Sequence, residues 1–173
     1  MLSIEPDAAF CDRFRSWLPN HELLQGTIAD LSSETPWNAI LSINVLEHIE
    51  DDAGALRNMA AIVPAGCVIV LLLPAFPALY GPIDRNLEHF RRYSVVSLKC
   101  LAAGINLTIE KLQYMNLIGF FGWWVNARIL QRQAQSTSQI AVFDKWVVPL
   151  LSWLESRFPP PFGQSLLAVL RTR

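Results

Sequence analysis

At 173 residues and a formal net charge of −1, the chain is long enough for one domain with a sizeable core, and its charge gives no reason to expect nucleic acid as a partner. Hydrophobic residues make up 52% of it, an apolar lean for a soluble domain. Its three cysteines, Cys11, Cys67 and Cys100, are scattered without metal-ligand spacing and read as small buried hydrophobes of a reducing compartment, without disulfides.

Met1 to Glu5 reads as a strand that ends in an acid and opens straight into a helix. Asp7 is a fitting cap for that helix, with Phe10, Phe14, Trp17 and Leu18 on one face and Pro19-Asn20 as its stop. Leu23 to Ile28 is a short strand leading to Ala29-Asp30-Leu31, and Trp37 to Asn44 is another. Asp51 or Asp52 caps the next helix, whose Leu56, Met59, Ala60 and Val63 share a face before Pro64 and Gly66 close it.

From Asn58 to Ile83 no residue is charged, yet Pro64, Gly66, Pro74 and Pro77 interrupt the stretch. A spanning helix needs about 20 uninterrupted apolar residues. The continuous run Cys67 to Leu73 instead fits a strand buried on both faces. The start of the chain lacks the basic and apolar regions of a secretory signal, from which a cytoplasmic location is expected.

A proline-rich loop follows, then a helix over 94–103 ended by Gly104, and a strand over Leu107 to Leu112. Leu117 to Gln131 carries Phe120, Phe121, Trp123 and Trp124 at helical spacing; such a stripe fits a core face, with a lid over an apolar acceptor as the second reading. Another helix is expected over Val142 to Arg157, kinked at Pro149, and a last strand over Ser165 to Leu170. This alternation predicts an α/β fold: a doubly wound, mostly parallel sheet in one domain over 1–173, with a helical insertion or lid over 117–158.

Glu5-Pro6-Asp7, Ala29-Asp30-Leu31, Asn44-Val45-Leu46-Glu47-His48-Ile49-Glu50-Asp51 and the apolar strand ending in Pro74 resemble the ordered blocks of class I S-adenosylmethionine-dependent methyltransferases. His89-Phe90-Arg91-Arg92-Tyr93-Ser94 and Pro161-Phe162-Gly163-Gln164-Ser165 are similar to a bacterial branch of that superfamily, the type 11/23-like enzymes. The likeness runs over essentially the whole chain. It implies a Rossmann-like fold and S-adenosyl-L-methionine as cofactor.

The resemblance also implies roles. Glu5, beside Pro6, matches the acid that accepts from both ribose hydroxyls; the plain alternative is a helix N-terminal charge. Asp30, beside Leu31, matches the acid that meets the adenine amino group; the alternative is a helix cap. Asn44 and Val45 stand where relatives pack against the methionine part. Glu47 and His48, with His89, are candidates for holding substrate or a proton near the methyl group, against the alternative of orienting a helix start. Some related enzymes bind a divalent metal through Glu-x-x-Glu-His; Asn44 replaces the first of these glutamates, so no metal is expected. Arg91, Arg92 and Tyr93 are candidates for gripping an acidic acceptor, or for stapling their loop.

No glycine-rich strand-to-helix turn occurs in the sequence. The resemblance therefore implies a domain incomplete at its N-terminal strand–helix unit, with open strand edges prone to self-association. Two functions are expected to compete: methyl transfer to a small-molecule, glycan- or lipid-linked acceptor, and a non-catalytic remnant that serves as an interaction module. A nicotinamide-dependent oxidoreductase is disfavoured by the Asn44–Ile49 block.

Overall fold

The structure, a computed structural model, describes residues 1–31, 37–125, 145 and 148–173. Two sheets result. Strands β1 (Leu2–Glu5) and β2 (Glu22–Gln25) pair in parallel, and α1 (Ala8–Trp17) packs on both. The second sheet has the order β3-β4-β6-β5, formed by Ala39–Ile43, Val68–Pro74, Ser165–Thr172 and Leu107–Met115. Here β3 runs parallel to β4, while β6 is antiparallel to both β4 and β5. One reversed strand among co-directional ones gives the mostly parallel α/β fold that the alternation predicts. Among the described residues no strand joins β1 to β3, so the sheet stands in two pieces.

The core lies on one face of the larger sheet. Leu71, Leu73, Leu166 and Leu170 face Leu56 and Met59 of α2 (Asp52–Ala61) and Leu98 of α4 (Val95–Ala103), and all are buried. Full burial contributes about 1.5–3 kcal/mol per large aliphatic side chain. Strand β6 alternates buried and half-buried residues along its length, the period-2 pattern of a strand with one core face. The opposite face is less covered: Leu41, Ile43 and Val45 are 66%, 50% and 45% exposed.

Several local expectations hold in detail. Asp7 caps α1 by accepting from the Phe10 N–H, Asp51 caps α2 through the Gly54 N–H, and Ser94 caps α4 through the Ser97 N–H. Others need correction. The aromatic face of α1 is open, with Phe10, Trp17 and Leu18 exposed and Cys11 buried. Cys100 is exposed, and all three cysteines are free. The strand expected to reach Ile28 stops at Gln25, and Ile28–Asp30 is a 3-10 turn. The proline-rich loop hides a 3-10 turn at Pro77–Leu79 and a short helix, α3 (Pro82–Asn86).

The aromatic helix is described as α5 (Leu117–Val125), and the later one as α6 (Val148–Arg157). Their expected remainders, 126–131 and 142–147, lie outside the described residues except for Lys145. Pro149 falls in the first turn of α6, where a missing N–H costs no helical hydrogen bond. In α5, Trp123 is buried, whereas Phe121 and Trp124 are exposed, so the stripe is only partly core. No helix among the described residues is long and apolar enough to cross a membrane.

A polar knot joins the end of β5, α5, α6 and β6. Asn116 adopts a left-handed φ of 62°, which lets its side-chain Oδ1 accept from the Gly119 N–H and its Nδ2 donate to Gln164 Oε1. The Glu155 carboxylate, nearly buried, accepts from the Asn116 and Leu117 N–H groups at 2.8 and 2.9 Å. Gly163 is required here, because a Cβ would lie 2.2 Å from the Met115 carbonyl oxygen. Glu155→Ala leaves two backbone donors without their acceptor and is expected to cost about 1–3 kcal/mol, read as a lowered urea midpoint.

Candidate functional site

Every residue singled out in the early sequence blocks lies at or just beyond the carboxyl end of a strand. Glu5 ends β1, Asp30 closes the turn after β2, and Asn44 and Val45 follow β3. Ligands of open α/β sheets sit at this edge. Glu5 is half-buried, and its Oε1 accepts from the Asp7 N–H at 2.9 Å. Asp30 forms a capping box: its Oδ2 accepts from the Thr27 N–H at 2.7 Å and from the Thr27 hydroxyl at 3.0 Å. These bonds hold its carboxyl below the ordinary range. Asn44 has a left-handed φ of 49° and donates its N–H to the Leu72 carbonyl, turning the chain out of the sheet.

Beyond Val45, a 3-10 turn over Leu46–His48 inverts the burial of neighbours: Glu47 is fully buried and His48 is exposed. Neither Glu47 carboxylate oxygen has a hydrogen-bond partner. Burial pushes its pKa up, against its own N–H and the charges of His89 and Arg92. The His48 and His89 rings meet edge to face with centroids 4.6 Å apart. Burial and the neighbouring His89 push His48 down, so its neutral form is favoured. Glu47, His48 and His89 each offer a ligand atom, and these lie within 4.8 Å of one another. The structure thus brings together the three residues proposed for chemistry, which the sequence separates by up to 42 positions.

The expectation that Arg91, Arg92 and Tyr93 grip an acceptor meets side chains already engaged within the chain. Arg92 is buried, donating from Nε to Asp84 Oδ1 at 2.7 Å and from Nη1 to the Ala75 carbonyl at 3.0 Å, with its guanidinium 4.4 Å from the Trp123 ring centroid. Tyr93 is buried and donates its hydroxyl to Asp52 Oδ2 at 2.9 Å. Arg91 pairs with Asp52 at 2.6 Å and donates to the Glu50 carbonyl. Arg91 and Tyr93 fasten the loop after β4 to the start of α2, and Arg92 ties that loop to Asp84 and to the end of β4.

Sequence reasoning passes over Asp84, which organises this region. It is fully buried, accepts from the Gly81 N–H at 2.9 Å, and lies 3.1 Å from His89 Nδ1. Burial alone would raise its pKa, but the His89 and Arg92 contacts and the Gly81 N–H outweigh that and hold it low. The available signal is Gly81-Pro82 followed by Asp84, a helix start with its acid at the third position.

Glu47 carries a testable pH signature. Its folded pKa lies above the ordinary 4.5, so between the two values the native state holds a proton that the unfolded chain lacks. Stability from this group is complete below about 4.5 and is lost as pH rises through the folded value. Relative to Glu47→Gln, the wild type is expected to gain stability as pH falls from 7 toward 5, measured by urea unfolding at each pH; a constant difference would refute the buried-carboxylate account.

No protein-family model and no curated protein sequence matches the chain. Solved structures do. An S-adenosylmethionine-dependent methyltransferase from Mesorhizobium loti aligns over 98% of this chain and 79% of its own, with 12% identity and a TM-score of 0.62. The N-methyltransferase NodS from Bradyrhizobium japonicum, in complex with S-adenosyl-L-homocysteine, gives 13% identity and a TM-score of 0.57 over 99% of this chain and 65% of its own. The O-methyltransferase of a trans-AT polyketide synthase from Brevibacillus brevis, also with S-adenosyl-L-homocysteine, gives 14% and 0.55 over 99% and 58%. The chain thus spans less than two thirds of the latter two. Its strand order, its reversed β6 and these alignments agree: the chain has the fold of the class I S-adenosylmethionine-dependent methyltransferases.

Proposed function

We propose that the chain is an S-adenosylmethionine-dependent methyltransferase domain whose cofactor lies across the carboxyl ends of β1, β2 and β3. The observation that carries this reading is the position of Glu5, Asp30 and Asn44–Val45 at those strand ends, in a fold whose solved neighbours include two with S-adenosyl-L-homocysteine bound. The side chains present fit the group. The Asp7 N–H occupies only Oε1 of Glu5, leaving Oε2 for ribose hydroxyls. Both Thr27 bonds fall on Oδ2 of Asp30, leaving Oδ1 for the adenine amino group beside Leu31. Pro6 and Val45 supply apolar walls.

When bound, the cofactor supplies an electrophilic methyl group on a sulfonium. The protein's share is positioning and proton handling. His48, exposed and favoured neutral, takes the proton from an acceptor hydroxyl or amine, with the His89 ring packed edge to face against it and Glu47 buried beside it. Arg91, Arg92 and Tyr93 keep the loop beneath the acceptor in place. Of the stretch 117–158, we assign its described helices, α5 and α6, to a lid over a small-molecule, glycan- or lipid-linked acceptor. Phe120 and Phe121 of α5 meet Phe162 with ring centroids 5.0 and 5.9 Å apart, an aromatic floor suited to an apolar group. Calorimetric titration with S-adenosyl-L-homocysteine is expected to show micromolar binding, weakened about 10- to 100-fold in Glu5→Ala by loss of charge-assisted hydrogen bonds. A folded chain that does not bind, or a mutant that binds equally well, would overturn the reading.

A second reading, an interaction module, is favoured by the open apolar side chains of β3. Leu41, Ile43 and Val45 form a row that soluble monomers seldom leave bare. Self-association that rises with concentration in light scattering, and is suppressed by Leu41→Lys with Ile43→Lys, is the expected outcome if this edge seeks a partner.

A further inference from the structure

We propose that Glu47, His48 and His89 form a binding site for one divalent transition-metal ion, with zinc as the ion the donor set suits best. The sequence argues against a metal because Asn44 stands in a ligand position of Glu-x-x-Glu-His. The fold supplies a different third ligand, His89, from the loop after α3.

Four observations converge. The ligand atoms lie within 4.8 Å of one another. Bonds of about 2.0–2.2 Å to one ion place such atoms roughly 3–3.5 Å apart, a closure within reach of small side-chain rotations. The Glu47 carboxylate is fully buried with both oxygens unpartnered. A buried carboxylate in that state is stable only when it is paired, protonated or coordinated to a metal. Asp84 faces His89 Nδ1 at 3.1 Å, which selects the tautomer with its proton there and leaves Nε2 as the ligand atom. That carboxylate–histidine arrangement is the usual outer shell of a metal-bound imidazole. His48 is likewise oriented, by the Leu87 carbonyl.

The backbone holds the two ligand-bearing loops together. The Phe90 N–H donates to the Glu47 carbonyl at 2.9 Å, and the Tyr80 hydroxyl donates to the His89 carbonyl at 2.7 Å. Charge is arranged to suit a cation. Arg92 makes its hydrogen bonds to Asp84 and the Ala75 carbonyl, so the Glu47 carboxylate faces the two imidazoles with no hydrogen-bond partner of its own. Two imidazoles and one carboxylate are a zinc or first-row transition-metal set, whereas magnesium and calcium take oxygen ligands. Three protein ligands leave a position open to solvent beside the exposed His48.

With an ion bound, His48 is a ligand and no longer a base, so the inference stands apart from the proton-transfer role given to it above, and its test reads the metal alone. Tag-free protein stripped with EDTA is titrated with zinc chloride by calorimetry, and with cobalt(II) to read coordination from its visible absorption. One equivalent of zinc is expected. His48→Ala, at an exposed position that leaves the core intact, should weaken it by more than the roughly 10–100-fold that loss of an outer-shell partner costs. Glu47→Gln should do the same with an unchanged circular dichroism spectrum. A folded wild type that takes up no equivalent overturns the proposal. So does an equivalent retained in both variants, which would put the ion elsewhere, as at the exposed Cys100. Zinc binding without S-adenosyl-L-homocysteine binding would sink the methyltransferase reading and leave the metal site standing.

Discussion

The region that carries the chemistry is organised around the buried carboxylate of Asp84. Three donors from three directions converge on it: the backbone of Gly81, the guanidinium of Arg92 and the imidazole of His89. Such a group tolerates burial only while its partners remain, and breaking a buried pair of this kind costs about 3–5 kcal/mol. Through Arg92 it reaches the Ala75 carbonyl at the end of β4, and through His89 it reaches Glu47 and His48. The loop that closes the site is therefore tied directly to the sheet end beside it.

Glu47 is the counterweight. A short turn buries it without hydrogen-bond partners, while nearby Asp84 accepts three hydrogen bonds. Two buried acids in one site, one well bonded and one bare, have opposite displacements of pKa. The bare one stores free energy that a proton or a cation releases. Local conflict of this kind concentrates at functional positions, and the rest of the core, dense with leucine, offsets it.

How much of this was legible in the sequence depended on the range of the interaction. The buried run of β4, the alternation in β6 and the caps Asp7, Asp51 and Ser94 are local signals, and the structure repeats them. The proline-rich stretch hid α3 because Pro82 at the first helical position starts a helix as readily as it breaks one. Arg91 and Arg92 read as a matched pair, yet adjacent residues of an extended segment point to opposite sides. One therefore enters the interior toward Asp84 and the other turns to Asp52. Glu155 was invisible, since the donors that it serves lie 38 and 39 positions away.

The place of β6 in the sheet also bears on how the chain is made. The last strand in sequence is inserted between β4 and β5, so Val68 finds its partner at Arg171 and Leu107 finds its own at Thr172. Until β6 has been made, β4 has β3 on one side and no partner strand of this sheet on the other. One edge of that apolar strand waits unpaired through the stretch that separates Pro74 from its partner Ser165. Long-range pairing of this kind is slow and leaves surfaces open to wrong partners. The ordering of this sheet thus waits on β6, which alone joins β4 to β5.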